Sequence, residues 1–300
     1  MISILIPVFN RDITTLAERL REQISRQSAE IDVVIMDDAS DRQVIKAANG
    51  LAVHHIPGFR YIELVENAGR NLVRQRLAAA ARHPVYIFLD ADSGFPDENW
   101  LDRYMEVIGK PGVFPGGRVY RPPAPGQKIH YQHGRSRETA SALRRNVHPY
   151  RSFMTNNFLI TRHDFEQLVV DPQLKGYGHE DTFIGMQLEK LGIPVTHLEN
   201  PVYHEAIEED VSFMQKQEEA LRNLGYLYQS YRGQYNFRKN IRLLNVYDRC
   251  IHSVAGRVLL AKIAKGKTFF RERLLASGKL LWLDLWKLAA FHDLMQQRKS

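Results

Sequence analysis

Short apolar runs alternate with amphipathic segments through the first third of the chain. Four runs are rich in strand-forming residues and end in polar, turn-forming residues; they span 2–8, 31–36, 61–65 and 85–89. Apolar residues at helical spacing follow the first run between residues 13 and 24, with Asp12 placed as a cap, and an Ala- and Arg-rich helix is predicted from about Gly69 to Arg82. This order predicts an α/β fold with a mostly parallel sheet flanked by helices.

The pattern changes in the second half of the chain. A proline- and glycine-rich stretch is followed by predicted strands at 153–160 and 194–198, with a helix at 180–191 between them. From about Glu208 the apolar spacing is helical as far as residue 300. The sequence therefore predicts an α/β domain over residues 1–204 and a helical extension over residues 205–300.

The charge of the chain is uneven and supports the same division. Its 300 residues carry a net charge of +7. Residues 1–204 hold 24 lysines and arginines and 24 acidic residues, whereas residues 205–300 hold 17 and 10. The whole positive excess lies in the predicted extension, which indicates a separate role for that part.

Cysteine content and hydropathy indicate in which cellular compartment the protein is expected. The single cysteine, Cys250, excludes an intramolecular disulfide and a cysteine-based zinc site, and it suits a reducing compartment. The N-terminus lacks the basic segment of a signal peptide, and no apolar stretch approaches the ~18 residues that span a bilayer. We therefore expect a cytoplasmic protein, either soluble or bound peripherally to the inner face of the cytoplasmic membrane.

Two carboxylates stand at the end of the fourth apolar run. Asp90 and Asp92 follow Leu89, at the edge where open α/β sheets place their ligand crevice. In an extended chain a spacing of two puts both side chains on one side of the backbone, where they repel unless a cation lies between them. This pattern favours a divalent metal ion that also carries substrate phosphates, and a pair of solvated loop acids is the alternative.

Further polar groups follow the other predicted elements. Asp38 is placed to accept the N3–H of a pyrimidine, and Arg70 and Arg74 lie four apart on one helical face, where they suit diphosphate oxygens. His204 follows the last strand and could complete a metal site with Asp92. Each group has a structural alternative, which is capping, a solvated basic face or a surface histidine.

Taken together, these motifs resemble family 2 glycosyltransferases of the GT-A fold. The matching segments occur in the order of that family over residues 1–204; they are Pro7-Val8-Phe9-Asn10, Asp37-Asp38-Ala39-Ser40, Asn67-x-Gly69, Asp90-Ala91-Asp92, Glu180-Asp181 and His204. The resemblance implies an inverting transfer of a sugar from a nucleotide-diphospho-sugar, with Mn²⁺ or Mg²⁺. One departure is Val73-Arg74-Gln75, where many members have Ala-Arg-Asn. The Gln-x-x-Arg-Trp motif of processive synthases is also missing, so a single addition is expected.

The resemblance also implies a role for each matching residue. The residues expected to bind the nucleotide-sugar, through a uridine base, are Pro7, Phe9, Asn10, Asp38, Asn67, Gly69, Arg70, Arg74, Asp90, Ala91 and Asp92. Asp92 and His204 are expected to ligate the metal. Asp181, with Glu180 as the second candidate, is expected to be the general base for the acceptor hydroxyl.

The acceptor is less clearly indicated by the sequence. Asn156 and Asn157 are predicted to line the crevice and Trp100 to stack on a sugar, with core packing as the alternative. A glycan or lipid-linked acceptor of cell-surface polysaccharide synthesis fits the family. Two other enzyme classes compete: a haloacid-dehalogenase-like phosphatase with Asp90 as nucleophile, and a nucleotidyltransferase, although no glycine-rich phosphate loop follows the first strand.

The basic extension suggests a surface-bound partner. Its apolar residues between 269 and 291 are interrupted by lysines and arginines, a pattern typical of an interfacial membrane anchor. Packing against the catalytic domain or in a homodimer is the alternative. A non-enzymatic protein that binds membrane or nucleic acid through residues 205–300 is a further hypothesis, although we expect no nucleic-acid partner.

Overall fold

The computed structural model describes residues 1–174 and 176–297. The chain forms two compact units, each built from three segments. The first unit comprises Met1–Arg121, Thr139–Lys175 and Gln187–Ala206, and the second comprises Pro122–Glu138, Gly176–Met186 and Ile207–Ser300. The sequence predicts a single boundary after residue 204. In the structure the chain also passes from one unit to the other at earlier points.

The strands of the described residues all lie in the first unit. They are β1 Ile2–Val8, β2 Ile31–Asp37, β3 Phe59–Glu63, β4 Val85–Leu89, β5 Ser93–Gly94, β6 Phe114–Pro115, β7 Arg118–Val119, β8 Asn157–Thr161 and β9 Val202–His204. Six of them form a sheet in the order β3-β2-β1-β4-β8-β6, and three form a small sheet in the order β5-β9-β7. The pairs among β1 to β4 are parallel, whereas β8 pairs antiparallel with both β4 and β6.

The helices are divided between the units. They are α1 Thr14–Ile24, α2 Gln43–His54, α3 Gly69–Ala80, α4 Trp100–Met105, α5 Lys128–His133, α6 Ala142–Arg145, α7 Arg162–Glu166, α8 Glu180–Leu191, α9 Asp210–Tyr231, α10 Phe237–Asn240, α11 Arg242–Ile251, α12 Val254–Lys265, α13 Lys267–Ser277 and α14 Leu280–Gln297. A π-helical turn, Gly134–Glu138, follows α5. α5 and α9 to α14 belong to the second unit, and α8 begins in the second unit and ends in the first.

The core of the first unit lies around its central strands. Every residue of β2 is buried and β1 is buried except for Pro7, as expected of parallel strands covered on both faces. Leu16 and Leu20 of α1 and Trp100 of α4 join the same apolar cluster. In the register, Val8 lies opposite Asp37, so the carboxyl ends of β1 and β2 meet at one edge of the sheet.

The small sheet contains the segment of chain that follows β4. Ser93 in β5 lies opposite His204 in β9, in an antiparallel pair. Arg118 in β7 lies opposite Val202 in β9, in a parallel pair. These pairings bring residues that are distant in the sequence next to the segment that follows β4.

The second unit packs around its last helix. Helices α9, α11, α12 and α13 all contact α14. Its buried residues include Leu283, Trp286 and Phe291, and the ring of Tyr247 in α11 meets that of Phe291 edge to face, with centroids 5.0 Å apart. Within the described residues, no helix combines the length and the apolar character needed to cross a membrane.

Most predicted elements are present, but three have different bounds. The third strand ends at Glu63 rather than at residue 65, and Val65 is 97% exposed. The strand predicted over 153–160 begins at Asn157. The strand predicted over 194–198 is reduced to one isolated bridge between Val195 and Val113, although the N–H groups of Thr196 and Leu198 donate to the carbonyls of Val113 and Pro115. On the other side of this segment, the N–H of His197 donates to the side chain of Asn146 rather than to a further strand.

Candidate active site

The loops after β1 and β2 are tied together by Asn10. Its backbone is left-handed, with a φ of 53°, and Ala39 in the second loop has a φ of 59°. The N–H of Asn10 donates to Ser40 Oγ at 2.8 Å, and its Oδ1 accepts from the N–H groups of Asp41 and Arg42 at 3.1 and 3.2 Å. The amide oxygen is thus engaged by the protein's own backbone, and Asn10 holds the two loops in a fixed arrangement.

Asp38 joins the end of β2 to the start of α3. Its Oδ1 accepts from the N–H of Ala68 at 2.6 Å, and its Oδ2 accepts from the N–H of Gly69 at 2.9 Å. Asn67 Nδ2 donates to the carbonyl of Asp38 at 2.9 Å. The structure therefore brings together the predicted residues Asp38, Asn67 and Gly69, and it uses the Asp38 carboxylate as a cap for α3.

Two more of the predicted nucleotide-binding residues lie at the end of β1. Pro7 is partly buried and lies opposite Met36. The side chain of Phe9 is 52% exposed although it is a large apolar residue. Its ring offers an open apolar face at the carboxyl edge of the sheet, where the sequence predicts a nucleotide base.

Asp90 is held by arginines. Arg74 Nη2 donates to Asp90 Oδ1 at 2.8 Å, and Arg118 Nη2 lies 3.8 Å from Asp90 Oδ2. Arg74 is only 5% exposed, and its Nη1 donates to the carbonyl of Arg70 one turn earlier in α3. Arg70 itself is exposed. The predicted pair of arginines is thus split, with Arg74 buried against Asp90 and Arg70 on the surface.

Asp92 and His204 are in direct contact. His204 Nδ1 lies 3.3 Å from Asp92 Oδ2, and both side chains are partly exposed. The pairing of β5 with β9 sets this contact, since the N–H of Glu205 donates to the carbonyl of Asp92 at 2.8 Å. The ring of Tyr120 meets the imidazole of His204 edge to face, with centroids 5.5 Å apart. The structure thus brings together the two residues that the sequence places in one site, and their role as metal ligands stays a prediction.

The surroundings keep Asp92 ionised. Burial acts to raise the pKa of Asp92, but His204, Arg118 and Arg11 outweigh burial and hold that pKa well below its usual range. Arg118 thus acts on Asp92 and also lies near Asp90. The cation that two close carboxylates require is supplied here in part by a protein side chain.

The segment between the two carboxylates is a turn, which corrects the extended chain predicted from their spacing. The N–H of Ser93 donates to the carbonyl of Asp90 at 3.1 Å, and Ala91 and Asp92 occupy the turn. The two side chains therefore have different nearest partners, although both lie near Arg118. Asp90 contacts Arg74, whereas Asp92 contacts His204.

The residues present fit a divalent ion only in part. A carboxylate and an imidazole are ligands that Mn²⁺ accepts, and Mg²⁺ is often held by one or two carboxylates together with substrate phosphates. In residues 1–174 and 176–297 no cluster of three or more histidine, cysteine or acidic side chains has metal-binding geometry. Asp92 and His204 would therefore hold an ion whose remaining ligands come from a bound diphosphate and water.

Glu180 and Asp181 begin α8 in the second unit. Glu180 is 7% exposed and Asp181 is partly exposed. His179 before them has a left-handed backbone with a φ of 69°, and its carbonyl accepts from the N–H of Phe183 at 2.9 Å. Burial, with a smaller contribution from Lys287, lowers the pKa of His179 to about 4. The assignment of either acid as general base stays a prediction.

The turn before α8 is fixed by α9. Glu219 Oε2 accepts from the N–H of Tyr177 at 3.2 Å, and Asn223 Nδ2 donates to the carbonyls of Tyr177 and Gly178 at 3.1 and 3.2 Å. A Cβ added to Gly178 would lie 2.6 Å from the Cβ of Ala220. The turn is therefore anchored, because Tyr177 and Gly178 are both bonded to one helix.

The predicted acceptor residues are mostly structural. Trp100 is fully buried, and its Nε1 donates to Asn157 Oδ1 at 3.0 Å. Asn157 is also fully buried and donates through Nδ2 to the carbonyl of Asn200 at 2.8 Å. Trp100 therefore offers no open face for a sugar. The amide group of Asn157 is already hydrogen-bonded within the core, through both its oxygen and its nitrogen. Asn156 differs, because its buried Oδ1 has no hydrogen-bond partner in the part of the chain that the structure describes.

Sequence reasoning missed the basic residues that surround the two carboxylates. Arg118 stands in a two-residue strand inside the proline- and glycine-rich stretch, where no periodicity is visible. Arg11 and Tyr120 likewise lie in or beside loops and belong to no recognised motif. The only available signal for Arg118 was the glycine pair before it, which allows the chain to approach β8 closely.

Comparison with known proteins decides the family. A family model described as Glycosyl transferase family 2 matches residues 3–169. The chain belongs to this family. The resemblance inferred from the sequence is thereby confirmed, and the phosphatase and nucleotidyltransferase hypotheses lose their support. A comparison with curated protein sequences finds no significant relative.

Solved structures of low sequence identity show the same fold. The mannosyltransferase PcManGT from Pyrobaculum calidifontis, in complex with GDP-Man and Mn²⁺, is 16% identical with a TM-score of 0.60, and the match covers 100% of this chain and 88% of that one. Glucosyl-3-phosphoglycerate synthase from Mycobacterium tuberculosis, with Mg²⁺ and UDP, is 16% identical with a TM-score of 0.52 and coverage of 76% and 78%. S. aureus TarS residues 1–349, with UDP-GlcNAc, is 14% identical with a TM-score of 0.50 and coverage of 99% and 92%. The predicted α/β, GT-A fold with C-terminal helices is confirmed.

Proposed function

We propose that this glycosyltransferase moves a single sugar from a nucleotide-diphospho-sugar to a hydroxyl group of a glycan or lipid-linked acceptor, with inversion and with Mn²⁺ or Mg²⁺. The observation that carries the proposal is the contact of Asp92 with His204 at 3.3 Å, next to Asp90 and its arginine partners. Membership of family 2 supports sugar transfer. Cell-surface polysaccharide synthesis is the pathway that we propose.

The donor we propose is a uridine diphosphate sugar. Asp38 and Phe9 lie at the edge of the sheet where the base would bind, and two of the structurally similar enzymes were solved with UDP or UDP-GlcNAc. The mannosyltransferase was solved with GDP-Man. Guanosine diphosphate is therefore the comparison that the binding experiment must include.

Charge is central to the proposed reaction. The bond between the anomeric carbon and the diphosphate breaks, and the leaving group gains negative charge. Arg74 and Arg118 place guanidinium groups beside Asp90, where their positive charge would stabilise the leaving diphosphate. A divalent ion bound by Asp92 and His204 would add further positive charge for the same leaving group.

Proton removal completes the proposed mechanism. The acceptor hydroxyl oxygen attacks the anomeric carbon from the side opposite the diphosphate, which inverts the configuration. Its proton passes to a carboxylate, for which we propose Asp181 and, as second candidate, Glu180. Both carboxylates lie in the first turn of α8.

The experiment that tests the proposal is calorimetric titration of the full chain with UDP and with GDP, each with and without Mn²⁺. We expect metal-dependent binding of one diphosphate, and we expect Asp92→Ala and His204→Ala to remove the metal-dependent part. Asp97→Ala is the matched control, since Asp97 is an exposed acid of the same unit that is paired with Arg103. Unchanged metal-dependent binding by Asp92→Ala would refute the metal site.

Donor identity requires a second measurement. Slow hydrolysis of the donor can be screened across common sugar nucleotides at saturating Mn²⁺. We expect one uridine diphosphate sugar to be hydrolysed faster than the others. Hydrolysis of none of them, together with release of phosphate from simple phosphate esters, would contradict sugar transfer and favour a phosphatase.

A further inference from the structure

The second unit exposes a set of aromatic, aliphatic and basic side chains at the junction of α13 and α14. We call it the aromatic–basic face, and it consists of Phe269, Phe270, Arg271, Arg273, Lys279, Leu281 and Trp282. Phe269 is 47% exposed and Leu281 is 64% exposed. Phe270 and Trp282 are half-buried. Large apolar side chains are therefore open to solvent at this junction.

The aromatic residues of this face form one cluster. The ring of Phe269 lies edge to face against those of Phe270 and Trp282, with both centroid distances 5.9 Å. Phe270 stacks on Trp282 with centroids 6.2 Å apart. The guanidinium carbon of Arg273 lies 5.2 Å from the centroid of Phe269. The cluster is preformed and carries a cation at its edge.

The same two helices bury a different set of apolar residues. Leu274, Leu283, Trp286 and Phe291 are each at most 1% exposed and form the interior of the second unit. The sequence leaves a membrane anchor and packing open for the apolar residues between 269 and 291 as one set, and the structure divides that set. The core is complete without Phe269 and Leu281, so these two are available to a partner.

Charge around the face is strongly positive. Residues 254–282 contain seven lysines and arginines and a single acidic residue, Glu272. The neighbouring helix α12 adds exposed Val254 and Val258, which are 71% and 53% exposed. A partner that combines an apolar interior with a dense layer of negative charge matches this surface.

We propose that the aromatic–basic face docks on the surface of a lipid bilayer that contains anionic lipids. Phenylalanine, tryptophan and leucine side chains enter the boundary between headgroups and acyl chains, while arginine and lysine remain among the anionic headgroups. A second copy of this chain is a poorer partner, because a symmetric contact would place the same positive charges against one another. The inference does not depend on the transfer reaction.

Tryptophan fluorescence provides a direct test, because the chain has three tryptophans and two are buried. Trp100 and Trp286 are 0% and 1% exposed, so a change in emission on binding reports on Trp282. We expect a blue shift when the full chain meets vesicles that contain phosphatidylglycerol, and a much smaller one with pure phosphatidylcholine. Trp282→Phe should remove the shift. An unchanged spectrum at low salt would overturn the proposal.

Co-sedimentation with the same vesicles tests the individual residues. We expect Phe269→Ser with Leu281→Ser to abolish binding, and Arg271→Gln with Arg273→Gln to weaken it about 30-fold, since each basic residue contributes a several-fold factor near an anionic surface. The matched controls are Val44→Ser with Leu51→Ser, which are exposed apolar residues of the first unit, and Arg232→Gln with Arg242→Gln, which are exposed arginines of the second.

Two further results would contradict lipid docking. Circular dichroism should first show that each variant keeps its helices, so that lost binding reflects the surface. If the chain dimerises without lipid and the Phe269 and Leu281 variant becomes monomeric, the face is a subunit interface. If the control variants lose binding as strongly as the test variants, attraction is a property of the overall charge and not of this face.

Discussion

At the scale of single residues, the site depends on side chains that bind the backbone. Asn10 accepts two N–H groups of the neighbouring loop through one amide oxygen, in a left-handed backbone conformation that few residues adopt readily. Asparagine satisfies both needs, since it tolerates this conformation and carries the acceptor. Two substitutions can separate the stabilisation that comes from the hydrogen bonds of Asn10 from the stabilisation that comes from its tolerance of the left-handed backbone.

We predict that Asn10→Ala destabilises the protein by about 2 kcal/mol, from the lost hydrogen bonds and the strain of a left-handed alanine. Asn10→Gly should cost only about 1 kcal/mol, because glycine keeps the conformation and loses only the acceptor. Urea denaturation of both variants measures the difference. Equal losses would show that the backbone conformation at residue 10 carries no strain.

The two acids of α8 provide the second prediction at this scale. Asp181→Asn should leave donor binding nearly unchanged and lower kcat by about 10²–10⁴-fold, because a general base acts in the chemical step. Glu180→Gln should have a smaller effect, and Glu189→Gln, at the other end of the same helix, serves as control. A larger loss in Glu180→Gln would exchange the roles, and no loss in either would remove both from the mechanism.

At the scale of elements, the turn between β6 and β7 sets the position of Arg118. A Cβ on Gly116 would lie 2.3 Å from the carbonyl oxygen of Asn200 and 2.4 Å from Asn157 Nδ2. Gly117 follows with a φ of 97°, and its carbonyl accepts from the N–H of Val202 at 3.3 Å. The chain can make this close approach only without side chains, and β7 then pairs with β9.

We predict that Gly116→Ala destabilises the first unit by about 1–3 kcal/mol, because the backbone of Asn200 has to move to admit the methyl group. Donor binding should weaken as well, since β7 carries Arg118 beside Asp90. Gly233→Ala is the control, because a Cβ there has no neighbour within 4 Å. Thermal unfolding and titration with the nucleoside diphosphate check both effects, and a Gly116 variant as stable as the control would contradict the close approach.

Strands and helices whose apolar residues recur at regular spacing were predictable from the sequence. Elements that are held only by contacts with residues far away in the sequence were not. The bounds of β1 and β4 agree with the apolar runs because both strands are buried and end at turns. β5 and β7 are two residues long and exist only through their pairing with β9. The same limit applies to the site, since Asp92 and His204 were visible as motifs whereas Arg118 was not.

At the scale of the whole molecule, each unit contains a histidine whose surroundings favour the neutral form. In the first unit, Arg145 Nη1 donates to His197 Nδ1 at 2.8 Å, and His197 Nε2 donates to the carbonyl of Pro149 at 2.9 Å, so the ring has no room for a second proton. Burial, aided by the charge of Arg145, lowers the pKa of His197 to about 4 although the Pro149 carbonyl acts in the opposite direction. His179 in the second unit has a pKa of about 4 for a similar reason.

We predict that acid weakens both units over the same pH range. An unfolded histidine takes up a proton near pH 6.5, whereas these two resist protonation down to about 4 when folded. Stability is therefore complete above about pH 6.5 and falls as the pH is lowered towards 4, by up to about 1.4 kcal/mol per pH unit for each group. Urea unfolding at several pH values measures the slope.

Substitution assigns that slope to individual groups. His197→Gln keeps a donor and an acceptor but cannot be protonated, so it should flatten the decline in stability below pH 6.5. His163→Gln, at an exposed histidine of the first unit, should leave the slope unchanged. A slope that is the same in the wild-type chain and in His197→Gln would show that His197 is not the responsible group.

The capping of α3 by Asp38 has a consequence for how phosphate can be bound. Nucleotide-binding folds commonly leave the first N–H groups of a helix vacant for the ligand's phosphate. Here the protein fills that place with an anion of its own, since the Asp38 carboxylate takes the N–H groups of Ala68 and Gly69. The diphosphate that we propose as part of the donor would find no helix end to accept it there. Long cationic side chains, and the metal ion that we propose, would have to take the place of a glycine-rich loop.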